Sequence, residues 1–264
     1  KMTDSINSIS IVIPTFNAED SISRLCKELL KVFNKFKMQI IIVNDCSTDK
    51  THNECLRLIK EHDAELTYIK LSKNVGEHNA VMAGLKHFSG DWVIIMDDDF
   101  QNPPAEALKL LDYSLSNQFD VVYGNYKKKK HNFFRNLVSK INDLTANYIL
   151  NKPKGLYLSS FKAINKKIVK KISNYNGPHP YIDGLIIALT SNISSIETQH
   201  EDRKTGKSGY SLIKLLKLYG NMATNFSTVP LHICSLIGLL IAFLSGIYAI
   251  TTVVQKILDP SMSI

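Results

Sequence analysis

The sequence predicts an α/β protein with a mostly parallel sheet flanked by helices, followed by an interfacial helix and at least one transmembrane helix. Three observations lead there. Short apolar runs alternate with amphipathic stretches through the first half of the 264-residue chain. Each run is followed by a polar loop, and near the end the 24 residues Leu231–Val254 contain no Asp, Glu, Lys or Arg. A hydrophobic content of 44% supports a sizeable core and excludes a disordered or fibrous chain.

Ser8–Pro14 (SISIVIP) has the apolar continuity of a strand buried on both faces. Asp20–Phe36 is amphipathic at helical spacing, and Gln39–Asn44 (QIIIVN) is a second buried strand. Thr51–Glu61 is expected as a helix, Thr67–Leu71 as a strand, His78–His87 as a helix, and Trp92–Met96 (WVIIM) as a strand running into three aspartates. Pro103–Pro104 signals the start of a helix over Ala105–Ser116, and Asp120–Gly124 (DVVYG) is a further strand. Such strand–helix units imply a parallel sheet that binds ligands outside the carboxyl ends of its strands. The loops there are Pro14–Glu19, Asn44–Asp49, Leu71–Gly76 and Asp97–Gln101, so four polar loops should converge on one crevice.

The net charge of +8 is unevenly spread. Residues 1–126 carry a net −5, residues 127–171 a net +12 and residues 172–264 a net +1. The basic block, with Phe133, Phe134, Leu137 and Tyr148 among its lysines, suits an anionic headgroup at a membrane surface. A solvated face is the alternative for each lysine of Lys127–Lys130. Nucleic acid is not expected, because the crevice is acidic and the chain carries a membrane span. Cys26, Cys46, Cys55 and Cys234 form no CxxC pair and no secretory signal opens the sequence, which fits a reducing compartment.

As a helix, Leu231–Val254 would reach roughly 36 Å at ~1.5 Å per residue, enough to cross a ~30 Å hydrocarbon core. Of 32 basic residues, 31 precede it, so the N-terminal part is expected on the cytoplasmic side of the inner membrane. Ser211–Ser227 puts Leu212, Leu215, Leu216 and Tyr219 on one helical face beside Lys214 and Lys217. An interfacial helix or a helix packed on the soluble domain both fit that pattern. The expected divisions are a catalytic domain over 1–210, an amphipathic helix over 211–228, a transmembrane helix over 229–256 and the start of a loop over 257–264. Further spans are expected after that abrupt close.

Two constellations carry chemistry. In MDDDFQNPP, extended backbone would put Asp97, Asp99 and Gln101 on one side and Asp98 on the other. Clustered carboxylates need a compensating cation, and hard oxygen ligands suit Mg²⁺ or Mn²⁺ bridging a pyrophosphate. A solvated acidic turn, or helix capping by Asp99, is the alternative. Asn44–Thr51 (NDCSTDKT) offers Asp45, Asp49, Ser47 and Thr48, short side chains able to read a base or ribose or to cap the next helix. No GxGxxG or GxxxxGK[ST] is present, so phosphate charge must be met by a metal or basic side chains. His78, at a helix start, either faces the crevice or is structural; the second is the commoner case.

In order, IVIPTFNAE, IIIVNDCSTDKT, LSKNVGEHNAVMAGL, GDWVIIMDDDFQNPPAE, DVVYGN and RKTGKSGYSLIKLL, followed by a span, resemble the family-two glycosyltransferases of the Rossmann-like GT-A fold. The chain is similar to the polyprenyl-phosphate glycosyltransferases, a group that includes dolichol-phosphate mannose synthase. NVGEHNAVMAGL with QNPP is most similar to the undecaprenyl-phosphate aminoarabinose-type transferases. The resemblance implies that Asp97, Asp99 and Gln101 are the DxDxQ metal ligands, with Asp98 at the variable position. It implies a donor nucleotide site of Pro14, Phe16, Glu19, Asn44, Asp45, Asn74, Asp97 and Asp98, with Asn44 standing where relatives commonly carry Asp. Arg135, Arg203, Lys207, Ser208 and Tyr210 correspond to the acceptor-phosphate motif, and Asp99, Arg203, Arg135 and Lys207 to the catalytic set. Tyr126 stands where many relatives have a phosphate-binding Arg, and Lys127–Lys130 follow it.

A lipid monophosphate has a second pKa near 6, so at neutral pH it is already a nucleophile and needs positioning more than a base. The expected activity is therefore inverting transfer of a sugar from a nucleotide sugar, expected to be UDP-linked, to a polyprenyl phosphate. A processive polysaccharide synthase is the alternative enzyme, though it would add a QxxRW-type motif and more spans. A non-catalytic membrane scaffold is the alternative from another class. Whether copies assemble into a homo-oligomer is left open.

Overall fold

A computed structural model describes residues 7–62, 65–126, 156–177, 180–199 and 229–259. Arg135, Arg203, Lys207, Ser208, Tyr210, Lys127–Lys130 and the amphipathic segment 211–228 lie outside the described residues. The chain divides into two compact units, Lys1–Gly209 and Tyr210–Ile264.

In the first unit, β1 (Ser8–Thr15) is followed by α1 (Ile22–Val32), β2 (Lys37–Asn44), α2 (Thr51–Glu61), β3 (Leu66–Lys70), α3 (Glu77–Leu85), β4 (Trp92–Ile95), α4 (Pro104–Ser116) and β5 (Val121–Tyr126). Then come β6 (Lys162–Asn165), α5 (Lys166–Ser173), α6 (Ile182–Leu189) and β7 (Ile193–Thr198). The strand order is β3-β2-β1-β4-β6-β5-β7. β1 runs parallel to β2 and β4, β2 to β3, and β5 to β7. Only β6 is reversed, pairing antiparallel with both β4 and β5. Six strands therefore share one direction, and their carboxyl ends lie along one edge of the sheet.

Alternation along β1 feeds two cores. Ile9, Ile11 and Ile13 pack with Leu25 and Leu29 of α1, Leu58 of α2 and Leu110 of α4. Val12 packs on the other face with Val81 and Leu85 of α3, Val169 of α5 and Ile186 of α6. Gly84 lets α3 approach β1, since a Cβ there would lie 2.6 Å from Val12 Cγ1.

The first nine elements follow the expected order. α1 is shorter than the expected Asp20–Phe36, because Phe33 and Phe36 leave the helix in turns and Phe33 drops fully buried into the core. The sheet is mostly parallel, as expected, and β6 inserts between β4 and β5, Ala163 standing beside both Ile94 and Val122. β6, α5, α6 and β7 lie beyond the elements that the sequence predicts. α5 is capped by Asn165, whose side chain accepts a hydrogen bond from Ile168 N at 2.9 Å.

In the second unit, α7 (Val229–Leu258) is a 30-residue helix. Its Cys234–Leu258 stretch has a mean hydropathy of 2.2, and Leu239 and Phe243 are 72% and 67% exposed. By length and composition it is able to cross a bilayer.

Candidate active site

The four loops after β1 to β4 are joined by hydrogen bonds, as the topology predicts. Asn17 N donates to Ser47 Oγ at 3.0 Å, Ala18 N to Thr51 Oγ1 at 2.8 Å and Glu19 N to Asp49 Oδ2 at 3.2 Å. In return, Thr48 N donates to Asn17 Oδ1 at 2.8 Å and Lys50 N to Glu19 Oε2 at 2.7 Å. Val75 N and Gly76 N tie the third loop to Asp45, donating to Oδ1 and Oδ2 at 2.8 and 2.9 Å. Phe16 N donates to Asp98 Oδ2 at 3.1 Å, closing the first loop on the fourth. Each loop contains one residue of positive φ: Asn17 (55°), Cys46 (61°), Gly76 (86°) and Phe100 (61°). Among the described residues the only other is Gln118 (56°). Backbone outliers concentrated on one crevice are a mark of a functional site.

Within that frame the candidate donor residues differ in freedom. Asp45 is 5% exposed with both oxygens engaged by backbone amides, and Asn74 Nδ2 donates to its carbonyl at 3.2 Å. Asn44 is fully buried: its Oδ1 accepts from Ser47 N at 2.8 Å and its Nδ2 donates to the Tyr68 hydroxyl at 2.9 Å. Pro14 is half-buried in β1. Phe16, by contrast, is 48% exposed and presents an aromatic face at the crevice.

The acidic loop is not extended. β4 ends at Ile95, residues 98–102 are a run of bends, and Phe100 is left-handed. The expected two-sided alternation of Asp97, Asp98, Asp99 and Gln101 is corrected accordingly. Asp99 Oδ1 instead accepts from Gln101 N at 3.0 Å, a tight turn of the kind short Asp side chains favour. Asp97 Oδ2 accepts from Ser160 Oγ at 2.6 Å. Burial first, then the negative charge of Glu77, pushes the Asp97 carboxyl up to about 7; the Ser160 hydrogen bond opposes this, while Asp99 adds to it. A divalent cation would relieve that repulsion, and two carboxylates with an amide oxygen fit Mg²⁺ or Mn²⁺. Among the described residues no three His, Cys, Asp or Glu side chains form a metal-binding group.

Beneath this loop lies a buried polar group invisible to sequence reasoning. Lys162 (3% exposed) forms an ion pair with Asp183, and Tyr123 donates its hydroxyl to Asp183 Oδ1 at 2.9 Å. His78 stacks edge-on against Tyr181 at 5.1 Å, and burial holds its imidazole down to about 4, so it is neutral at pH 7. Ser160 and Lys162 belong to the β6 region, whose four-residue strand has too little pattern to be found. Tyr126, at the end of β5, meets Tyr157 edge-on at 5.9 Å, and burial raises its phenol.

Four loops tied together at the carboxyl ends of a mostly parallel sheet, one of them acidic, define a candidate ligand-binding edge. The chain is a member of Glycosyl transferase family 2, whose pattern matches residues 10–173. It is similar to the undecaprenyl-phosphate 4-deoxy-4-formamido-L-arabinose transferase of Pectobacterium atrosepticum, 32% identical over 247 residues that cover 93% of this chain and 75% of that protein. The transferase of the same name from Salmonella choleraesuis is 30% identical over 244 residues, covering 90% and 73%. Among solved structures, the glucosyl-3-phosphoglycerate synthase of Mycobacterium tuberculosis with phosphoglyceric acid superposes with a TM-score of 0.59 at 15% identity, covering 83% of this chain and 80% of that one. A mannosyltransferase of Pyrobaculum calidifontis, in complex with GDP-Man and Mn²⁺, gives 0.55 at 16% identity over 76% and 58%. The structural likenesses establish the fold.

Proposed function

We propose that this glycosyltransferase moves a sugar from a nucleotide sugar, with UDP the expected nucleotide, to undecaprenyl phosphate at the cytoplasmic face of the inner membrane. The observation that carries this is the Asp97–Gln101 loop, hydrogen-bonded to the first loop at the carboxyl edge of the sheet, in a chain 32% identical to a transferase named for undecaprenyl phosphate. Asp97, Asp99 and Gln101 would hold Mg²⁺ or Mn²⁺, which when bound neutralises the leaving diphosphate. Phe16 offers its exposed ring to the base, while Asp45, Asn74, Asn44 and Glu19 hold the loops that shape the nucleotide pocket.

Arg135, Arg203 and Lys207, with Ser208 and Tyr210, compensate the acceptor phosphate. That phosphate is largely dianionic at pH 7 and attacks without a general base. Attack from the face opposite the diphosphate inverts the anomeric carbon. α7 anchors the chain, and the excess of Lys and Arg ahead of it favours a cytoplasmic catalytic unit.

The test is to incubate membranes containing the chain with a panel of radiolabelled nucleotide sugars and undecaprenyl phosphate, then extract lipid. Label in the lipid fraction that depends on Asp99 supports the assignment. Label in polymer instead would point to a synthase, and no transfer from any donor would overturn the proposal.

A further inference from the structure

Phe100 is the bulkiest of the left-handed residues in the crevice, and left-handed backbone is disfavoured for a side chain of its size. Something must hold it there. Its ring packs against the core formed by α1, α2 and α4, and the Arg24 guanidinium from the first turn of α1 sits over it, 4.1 Å from the ring centroid. Arg24 Nε is itself oriented by Glu28 Oε1, one helical turn on, at 3.2 Å. The hydrogen bond from Gln101 N to Asp99 Oδ1 spans Phe100, so the ring's orientation and the directions of Asp99 and Gln101 are set by one turn.

We propose that Arg24 is a positioning residue for this loop: stacked on Phe100, it clamps the left-handed turn that presents Asp99 and Gln101 to the cation. The inference rests on the metal assignment made above. A guanidinium is suited to the task, because it stacks flat on a ring. Among the described residues Arg24 is the cation stacked on the ring, so its loss would ease relaxation of Phe100 to ordinary backbone, and the two ligands would lose their shared orientation.

The experiment uses the full chain in detergent, without nucleotide. Mn²⁺ affinity is read by paramagnetic resonance of the free ion, and exchange of the amides at 99–101 by mass spectrometry. Arg24→Ala should weaken Mn²⁺ binding about two- to fivefold and speed exchange at Gln101, with the melting temperature unchanged because Arg24 is more than half exposed. Arg24→Lys should restore part of both effects. Phe100→Leu should reproduce them, and adding Arg24→Ala to it should cost nothing further. Unchanged affinity and exchange in Arg24→Ala, or additive losses in the double variant, would overturn the clamp. Wild-type protein that binds no Mn²⁺ would instead refute the metal assignment, and the exchange measurement would then decide the clamp alone.

Discussion

Ser160 and Asp97, 63 residues apart, meet at 2.6 Å, the serine hydroxyl donating to a carboxylate oxygen of the acidic loop. The reversed strand β6 brings them together: it begins just after Ser160 and lies against β4, which delivers Asp97. Because Asp97 is pushed up to about 7, chiefly by burial, a cation must displace a proton from it below neutrality. Mn²⁺ affinity should therefore fall as the pH drops from 8 to 6. Ser160→Ala removes a hydrogen bond that favours the ionised form, so it should move this profile to higher pH. An unshifted profile in a titration of Mn²⁺ against pH would dissociate the serine from metal binding.

Asp99→Ala should reduce transfer by about 10²-fold or more, on the scale of losing one preorganised charge-stabilising group. The fold should survive, since Asp99 is a loop residue at the crevice and not part of either core. The check is turnover at saturating Mn²⁺ beside a thermal melt; near wild-type turnover would remove Asp99 from the ligand set.

His78 sets a stability slope. Its imidazole ordinarily titrates at 6.5 and is held down to about 4 in the folded chain, mainly by burial. Between those values the unfolded chain binds a proton that the folded chain refuses, so this contribution is complete above pH 6.5 and is lost as the pH falls toward 4. Asp97, raised in the metal-free protein, tilts stability the opposite way over much of the same range. Comparing wild type with His78→Gln isolates the histidine: the change in unfolding free energy on going from pH 5 to pH 7, read by urea titration, should be more positive in wild type than in the variant, by on the order of 1–3 kcal/mol.

Lys162→Met should destabilise the chain by about 3–5 kcal/mol, because it strands Asp183 as a buried, uncompensated charge. Lys162→Met combined with Asp183→Leu should recover much of that loss. Urea unfolding of wild type and the two variants measures it, and equal losses in the single and double variants would show that the ion pair is not the cause.

Arg203→Ala should raise the requirement for lipid phosphate far more than for the nucleotide sugar, by about 1.5–3 kcal/mol of lost charge-assisted contact. A shift confined to the donor KM would assign Arg203 to the diphosphate instead.

The sequence by itself determined the elements whose pattern is local. The apolar runs of β1, β2 and β4 and the helix Thr51–Glu61 follow from side-chain periodicity, and the uncharged run Leu231–Val254 follows from composition. The rule that parallel sheets bind at their carboxyl edge locates the crevice and places Asp97–Gln101 beside it from the sequence alone. Only the tertiary structure decided what depends on distant partners. The insertion of β6 between β4 and β5 hangs on four short residues whose pairing is non-local. The engagement of Asp45 by Val75 and Gly76, the burial of Lys162 against Asp183, and the left-handed turn at Phe100 under Arg24 likewise join residues far apart in the chain. Periodicity records which face of an element is apolar, whereas the partner of a polar or charged side chain is set by where the folded backbone brings it.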